Sequence, residues 1–175
     1  LIVGGIPLAL LPQKIFSGLA DFPYLAVPLF VLAGMLMETG GISKRIVELS
    51  NAMVGHIRGG LGMVVMVATI FFSDISGSSA ADTAAIGSIM IPTMKKRGYA
   101  PNFSAALVTA AGGMGVLIPP CLTMVVFGSL TNTSIGALFL AGFVPGISMG
   151  IILMMLTYII ARKNNFPREE RATFR

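Results

Sequence analysis

The residues of this chain that could do chemistry are concentrated in one polar stretch, Ser73-Asp74-Ile75-Ser76-Gly77-Ser78-Ser79-Ala80-Ala81-Asp82-Thr83, set between two apolar arms within residues 61–94. Gly77 permits backbone angles closed to other residues, and Ser76, Ser78 and Ser79 add hydroxyl oxygens. Where such a stretch unwinds, its carbonyl oxygens suit a hard cation such as sodium. A half-helix beginning there turns N–H groups and a positive dipole end toward an anion. Asp74 and Asp82 are costly at membrane depth and are functional candidates for that reason. Asp82 could equally cap the second arm, and either aspartate, with Thr83, could support a ligand shell rather than touch the ion. A proton relay stays open. The alternative is a Ser/Gly/Ala packing motif with no ligand, since Ala80, Ala81, Ala84 and Ala85 also keep the second arm thin.

A second interruption falls in the apolar residues 103–130, at Gly112-Gly113-Met114-Gly115 and again at Pro119-Pro120. No regular helix continues through a double proline, because each lacks its N–H and clashes with the carbonyl four residues back. Two interrupted elements in one membrane chain point to the binding site of a secondary transporter. Other constellations are weaker. His56 stands alone beside Arg58, Cys121 has no partner for nucleophilic chemistry, and the 12 methionines are packing residues. No phosphate loop, carboxylate pair or zinc spacing occurs, so an enzyme has nothing to stand on and no cofactor is expected.

Composition says where these elements must sit. With 55% hydrophobic and 11% charged residues and a mean hydropathy of +0.88, an all-α integral membrane protein in the lipid bilayer is expected. The net charge of +5 does not imply a nucleic-acid partner, because the basic residues lie between apolar segments with no stacking aromatics among them. Residues 61–94 are too few for two crossings and a turn, which need about 20 residues each. Arms of about 13 to 15 residues would reach the middle of the bilayer. Basic residues flank them on both sides, Arg58 before and Lys95, Lys96 and Arg97 after, so the segment should enter and leave on one face as a re-entrant hairpin.

The rest of the chain follows from that hairpin. Residues 1–12 read as the end of a truncated membrane helix, residues 13–22 as a polar exit with Lys14 and Asp21, and residues 23–38 as a short span lengthened if it starts near Ile15. In residues 42–57 the apolar positions Ile42, Ile46, Leu49, Met53 and Ile57 recur at helical spacing opposite Ser43, Arg45, Glu48 and Asn51, which suits an interfacial helix or a connector packed on the protein. Residues 131–134 form a turn, residues 135–161 a long transmembrane helix, and residues 162–175 a cytoplasmic linker. Domain boundaries at 1–58, 59–130, 131–161 and 162–175 follow, and the chain reads as a fragment with a missing second half.

The segments FPYLAVPLFVLAG (residues 22–34), SGSSAADTAAIG (76–87) and GGMGVLIPP (112–120) resemble the large transmembrane subunit of tripartite ATP-independent periplasmic (TRAP) transporters. The resemblance runs nearly the whole chain, in order, and corresponds to about the first half of such a subunit. It implies one repeat of an elevator-type ion-transporter fold in a bacterial inner membrane. It also implies sodium-coupled import of an organic acid, such as sialic acid or a C4-dicarboxylate, with a small membrane subunit and a periplasmic substrate-binding protein as partners. Carried onto this chain, the resemblance puts sodium among Ser76, Gly77, Ser78, Ser79, Gly112, Gly113 and Gly115. Substrate falls near Ser78, Ser79, Pro119, Pro120 and Thr123. A sodium symporter of another elevator family, an ion channel and a non-transporting scaffold are the rival readings.

Overall fold

A computed structural model describes residues 10–20, 22–164 and 166, and all regular structure among them is α-helical. The order is α1 (Leu10–Leu19), α2 (Phe22–Thr39), α3 (Ile42–Val54), α4 (Gly60–Ser76), α5 (Ser79–Lys96), α6 (Pro101–Met114), α7 (Leu122–Thr131) and α8 (Ile135–Lys163). Residues 1–9, Asp21 and most of the expected linker, 165 and 167–175, lie outside the described residues.

Helix α4 is the centre of the molecule. From Gly60 to Phe72 it is apolar on every side but for Thr69, as a helix surrounded by others must be, and Val64, Val65, Met66, Ala68 and Phe72 are fully buried. It packs against α2, α3, α5, α6 and α8. Helices α4 and α5 pack on each other across two non-helical residues, Gly77 and Ser78, and so form a helical hairpin. From α5 the core takes Ile86, Met90 and Met94, and from α6 Val108, Ala111 and Met114.

Several expectations are corrected. The hairpin arms are 17 and 18 residues long, not 13 to 15, because Ser73, Asp74 and Ser76 continue α4 and Ser79 already belongs to α5. The polar centre is thus mostly helical, since its hydroxyls find acceptors without unwinding the backbone. The broken helix has one break, residues 115–121, rather than two. Gly112 and Gly113 stay in α6, and the helix stops where Pro119 would meet the carbonyl of residue 115. Gln13 and Lys14, expected in a polar exit, lie within α1, whose Pro12 sits in the first turn where a missing N–H costs little. Helix α2 accordingly begins at Phe22 and gains nothing from Ile15.

Helix α3 ends at Val54, three residues short of the expected range, and turns a different face inward. Ser43, placed on the polar side by spacing, is buried with Ile46 and Ser50, while Leu49 and Met53 are 46% and 50% exposed. Close approach to α4 selects the small residues of α3, and Leu49 and Met53 are left as an outer edge with Arg45 one turn before Leu49.

Helix α8, 29 residues and about 43 Å long, is the one helix among the described residues long and apolar enough to cross a membrane. Its inner stripe is Gly142, Gly146, Gly150, Thr157 and Ala161, all buried. A Cβ at Gly142 would stand 2.6 Å from the Leu117 carbonyl oxygen, so the glycine lets the break of α6 and α7 lie against α8. At the other end, a Cβ at Gly59 would stand 2.3 Å from the Cβ of Ala161, and the Phe166 ring packs 4.2 Å from that of Tyr99. These two contacts gather Arg58, Lys95, Lys96, Arg97, Arg162 and Lys163 at one end of the molecule.

Candidate functional site

The hairpin tip is built by two complementary caps. Gly77 ends α4 in the left-handed region, φ 59°, with its N–H donating to the Ser73 carbonyl at 3.0 Å. An added Cβ there would meet the Phe30 ring at 2.7 Å and the Pro120 carbonyl oxygen at 3.0 Å, so glycine is required by both conformation and space. Ser78 is extended and begins α5, its Oγ accepting the Ala81 N–H at 3.4 Å. The N-cap is therefore Ser78 and not Asp82, the alternative left open by the sequence.

Asp82 does something else. It is fully buried, Ser73 Oγ donates to its Oδ2 at 2.5 Å, and Ser76 Oγ donates to its Oδ1. The carboxylate thereby ties the last turn of α4 to the first turn of α5 beneath the tip. Ser76 Oγ also receives the Ser78 N–H at 3.1 Å, so one hydroxyl serves both the turn and the aspartate.

The break of the second element lies against this clasp. A Cβ on Gly115 would stand 2.3 Å from Asp82 Oδ2 and 2.8 Å from Ser73 Oγ. A Cβ on Gly112 would meet Thr83 Oγ1 at 1.9 Å and the Ser79 carbonyl oxygen at 3.2 Å. Thr83 in turn donates to the Ser79 carbonyl at 2.7 Å. On the far side of the break, Leu122 begins α7 and its N–H donates to the Gly77 carbonyl at 3.4 Å. Cys121 caps α7 with no side-chain hydrogen bond. The tip, the end of α6 and the start of α7 thus meet at one place.

A cavity of about 150 Å³ opens beside that junction, lined by Ser76, Ser78 and Ala81 of the tip, Leu122 of α7, and Gly34 and Met35 of α2. Its wall is mainly apolar, completed by Val31 and Phe72, and the polar side chains on it are those of Ser76 and Ser78. Among the described residues no three of His, Cys, Asp and Glu come together to hold a metal.

Of the residues expected at the site, Ser76, Gly77, Ser78, Ser79, Asp82, Thr83, Gly112, Gly115 and Pro120 gather at the junction, and Pro119 is buried in the break. Three do not join them. Asp74 is exposed and makes no hydrogen bond to the clasp, Gly113 is exposed with open space where a side chain would be, and Thr123 is exposed on α7. Ser73 belongs to the polar stretch marked by the sequence but carries no role there, although it stands one turn before Ser76 and so shares its face; Leu122 and the α2 wall are not expected from the sequence, because nothing local marks them.

The whole chain, residues 1–175, matches the family model described as "Tripartite ATP-independent periplasmic transporter, DctM component". It is 46% identical over 162 residues to the C4-dicarboxylate TRAP transporter large permease protein DctM of Pseudomonas aeruginosa, covering 93% of this chain and 38% of that protein. It is 42% identical over 168 residues to the isethionate TRAP transporter permease protein DctMQ of Oleidesulfovibrio alaskensis, covering 96% and 26%. To the sialic acid TRAP transporter permease protein SiaT of Haemophilus influenzae it is 40% identical over 161 residues, covering 92% and 26%. All three are named as permeases and none as an enzyme, and the chain spans between about a quarter and two fifths of their length. A helical hairpin clasped to a broken helix, in a chain matched from end to end by one family model, is part of a membrane permease: the chain belongs to the DctM-component family of tripartite ATP-independent periplasmic transporters.

Proposed function

We propose that this chain supplies half of the ion and substrate site of a sodium-coupled organic-acid importer that works with a small membrane subunit and a periplasmic substrate-binding protein. The observation that carries the reading is the junction itself, where the Gly77 carbonyl accepts the Leu122 N–H beside a cavity lined by Ser76 and Ser78. The relatives named for C4-dicarboxylate, isethionate and sialic acid support an acidic substrate. The fused name DctMQ fits a small subunit acting beside the large one.

The hairpin is read as re-entrant. Its arms, about 25 to 27 Å long, are shorter than the roughly 30 Å of a hydrocarbon core, and the exposed Pro92, Thr93, Lys95 and Lys96 belong at the headgroups. Arms of this length carry the tip past the middle of the bilayer and into its far half, where non-helical backbone still needs a polar cavity. Sodium would draw on carbonyls of the break and the hydroxyls of Ser76, Ser78 and Ser79. A substrate carboxylate would meet the helix starts at Ser78 and Leu122, whose dipoles favour negative charge. Sodium binding bears the cost of ordering the tip against the break, so substrate binds well only when sodium is present, and coupling follows from that linkage. The hairpin and broken helix would move together as the mobile part of an elevator, because Gly112 and Gly115 lock them face to face.

The test is uptake of labelled organic acids into proteoliposomes holding the full-length large subunit with its small subunit and binding protein. Uptake that needs both a sodium gradient and the binding protein is expected. Uptake independent of the binding protein would make the complex an ordinary symporter, and unsaturable conductance would make the hairpin a pore lining.

A further inference from the structure

Between the lower half of α8 and the turn that follows α3 lies an apolar groove of about 320 Å³, away from the hairpin tip. Ile57 and Met63 form one wall and Met154, Met155, Tyr158 and Ile159 the other. Its outer rim faces outward, Met155 and Ile159 being 60% and 59% exposed. At its end stand two cations. Arg162 follows Tyr158 by one helical turn and so shares its face, and Arg58 follows Ile57 directly. Both are exposed, and the contact between Gly59 and Ala161, the residues next to them in sequence, holds the two arginines at the same level.

We propose that this groove binds one anionic phospholipid, an acyl chain lying along the methionine-lined trough and the phosphate held by Arg58 and Arg162. Methionine walls adapt to a flexible chain, and tyrosine belongs at the level where hydrocarbon meets headgroup. A pair of arginines at the end of an apolar cleft between membrane helices is complementary to a lipid phosphate. The groove joins the turn after α3 to α8, so a lipid bound there would brace the base of α4, whose Met63 is part of the wall.

The full-length large subunit with its small subunit, purified in neutral detergent, is offered phosphatidylglycerol or phosphatidylcholine of identical chains, and retained lipid is counted by native mass spectrometry. Wild type should retain phosphatidylglycerol in clear preference. Arg58→Gln and Arg162→Gln should each lower that preference by about fivefold, since a basic residue near a lipid headgroup is worth about 1 kcal/mol. Met155→Trp should fill the trough and reduce retention of both lipids. The proposal fails if wild type holds the two lipids equally or holds neither, or if the arginine variants keep the preference. It also fails if a photo-crosslinker at position 155 captures a protein segment instead of lipid. The arginines are exposed, so their variants test the site even if Met155→Trp does not fold.

Discussion

The two interruptions in this chain solve the same problem in opposite ways. At the hairpin tip two residues leave the helix, and the ends are closed locally: Gly77 returns its N–H to Ser73, Ser78 caps α5, and Asp82 binds hydroxyls from the other arm. In the broken helix seven residues, 115–121, leave the helix, α7 starts without a side-chain cap, and its first amide reaches across to the tip. Both helix ends that enter these interruptions are closed locally, the end of α6 by the Gly115, Leu117 and Ile118 amides, but only the tip also caps the helix that leaves it; the start of α7 is tied instead to the Gly77 carbonyl, so the geometry there reports the position of the tip. This is why the junction, and not either element alone, is the candidate site.

The comparison can be broken most sharply at Asp82. Asp82→Ala leaves the Ser73 and Ser76 hydroxyls without their acceptor, and hydrogen bonds to a charged group contribute about 1.5–3 kcal/mol each. The full-length complex should lose about 3 kcal/mol or more in thermal unfolding, with uptake reduced to background, and Asp82→Asn should fall between. An unchanged melting transition would remove the clasp as the source of the tip's rigidity.

Gly115→Ala tests whether the break must lie against the clasp. The new methyl would stand 2.3 Å from Asp82 Oδ2, and overpacking of this kind costs about 1–3 kcal/mol. Uptake should need more sodium for half-maximal rate, because tip and break are pushed apart. Gly77→Ala should cost about 1–2 kcal/mol from its left-handed conformation alone, plus the clash with Phe30; equal stability of this variant and wild type would show that the turn has another form.

Smaller effects separate cap from ligand. Ser78→Ala removes the N-cap, worth about 1 kcal/mol, and if the hydroxyl also serves the ion or substrate, uptake should drop further than stability explains. Ser78→Asp restores a capping oxygen but adds charge; recovery of stability without recovery of uptake is the expected result. Gly113→Ala, in open space on α6, should change stability by no more than about 0.5 kcal/mol and leave uptake intact. A large loss there would return Gly113 to the site and undo the single-break description.

Much of this was legible locally. The hairpin, the double-proline break and the long helix α8 follow from apolar length and from Gly and Pro positions, because each of these acts on its own stretch of backbone. The extents of the interruptions were less legible. Sequence marks Ser73 to Thr83 as polar, and polarity suggested unwinding; but hydroxyls satisfied by Asp82 allow the helices to run on through Ser76 and from Ser79. Gly112-Gly113 reads as a break for the same kind of reason, but both residues stay in α6, where glycine at 112 leaves room for Thr83 and the Ser79 carbonyl.

An all-helical membrane chain with two interrupted elements, and hydroxyl oxygens at one of them, follows from residue order alone, since hydrophobic length and proline sterics are properties of single segments. Which of these groups meet is settled by packing between helices. Asp82 became a clasp and not a cap, Leu122 and the α2 wall joined the site, Gly113, Asp74 and Thr123 stood apart, and Ser43 replaced Leu49 and Met53 on the buried face of α3. Each of these depends on how closely one helix can approach another, and that distance is set by the small residues of both partners together, which no single stretch of sequence contains.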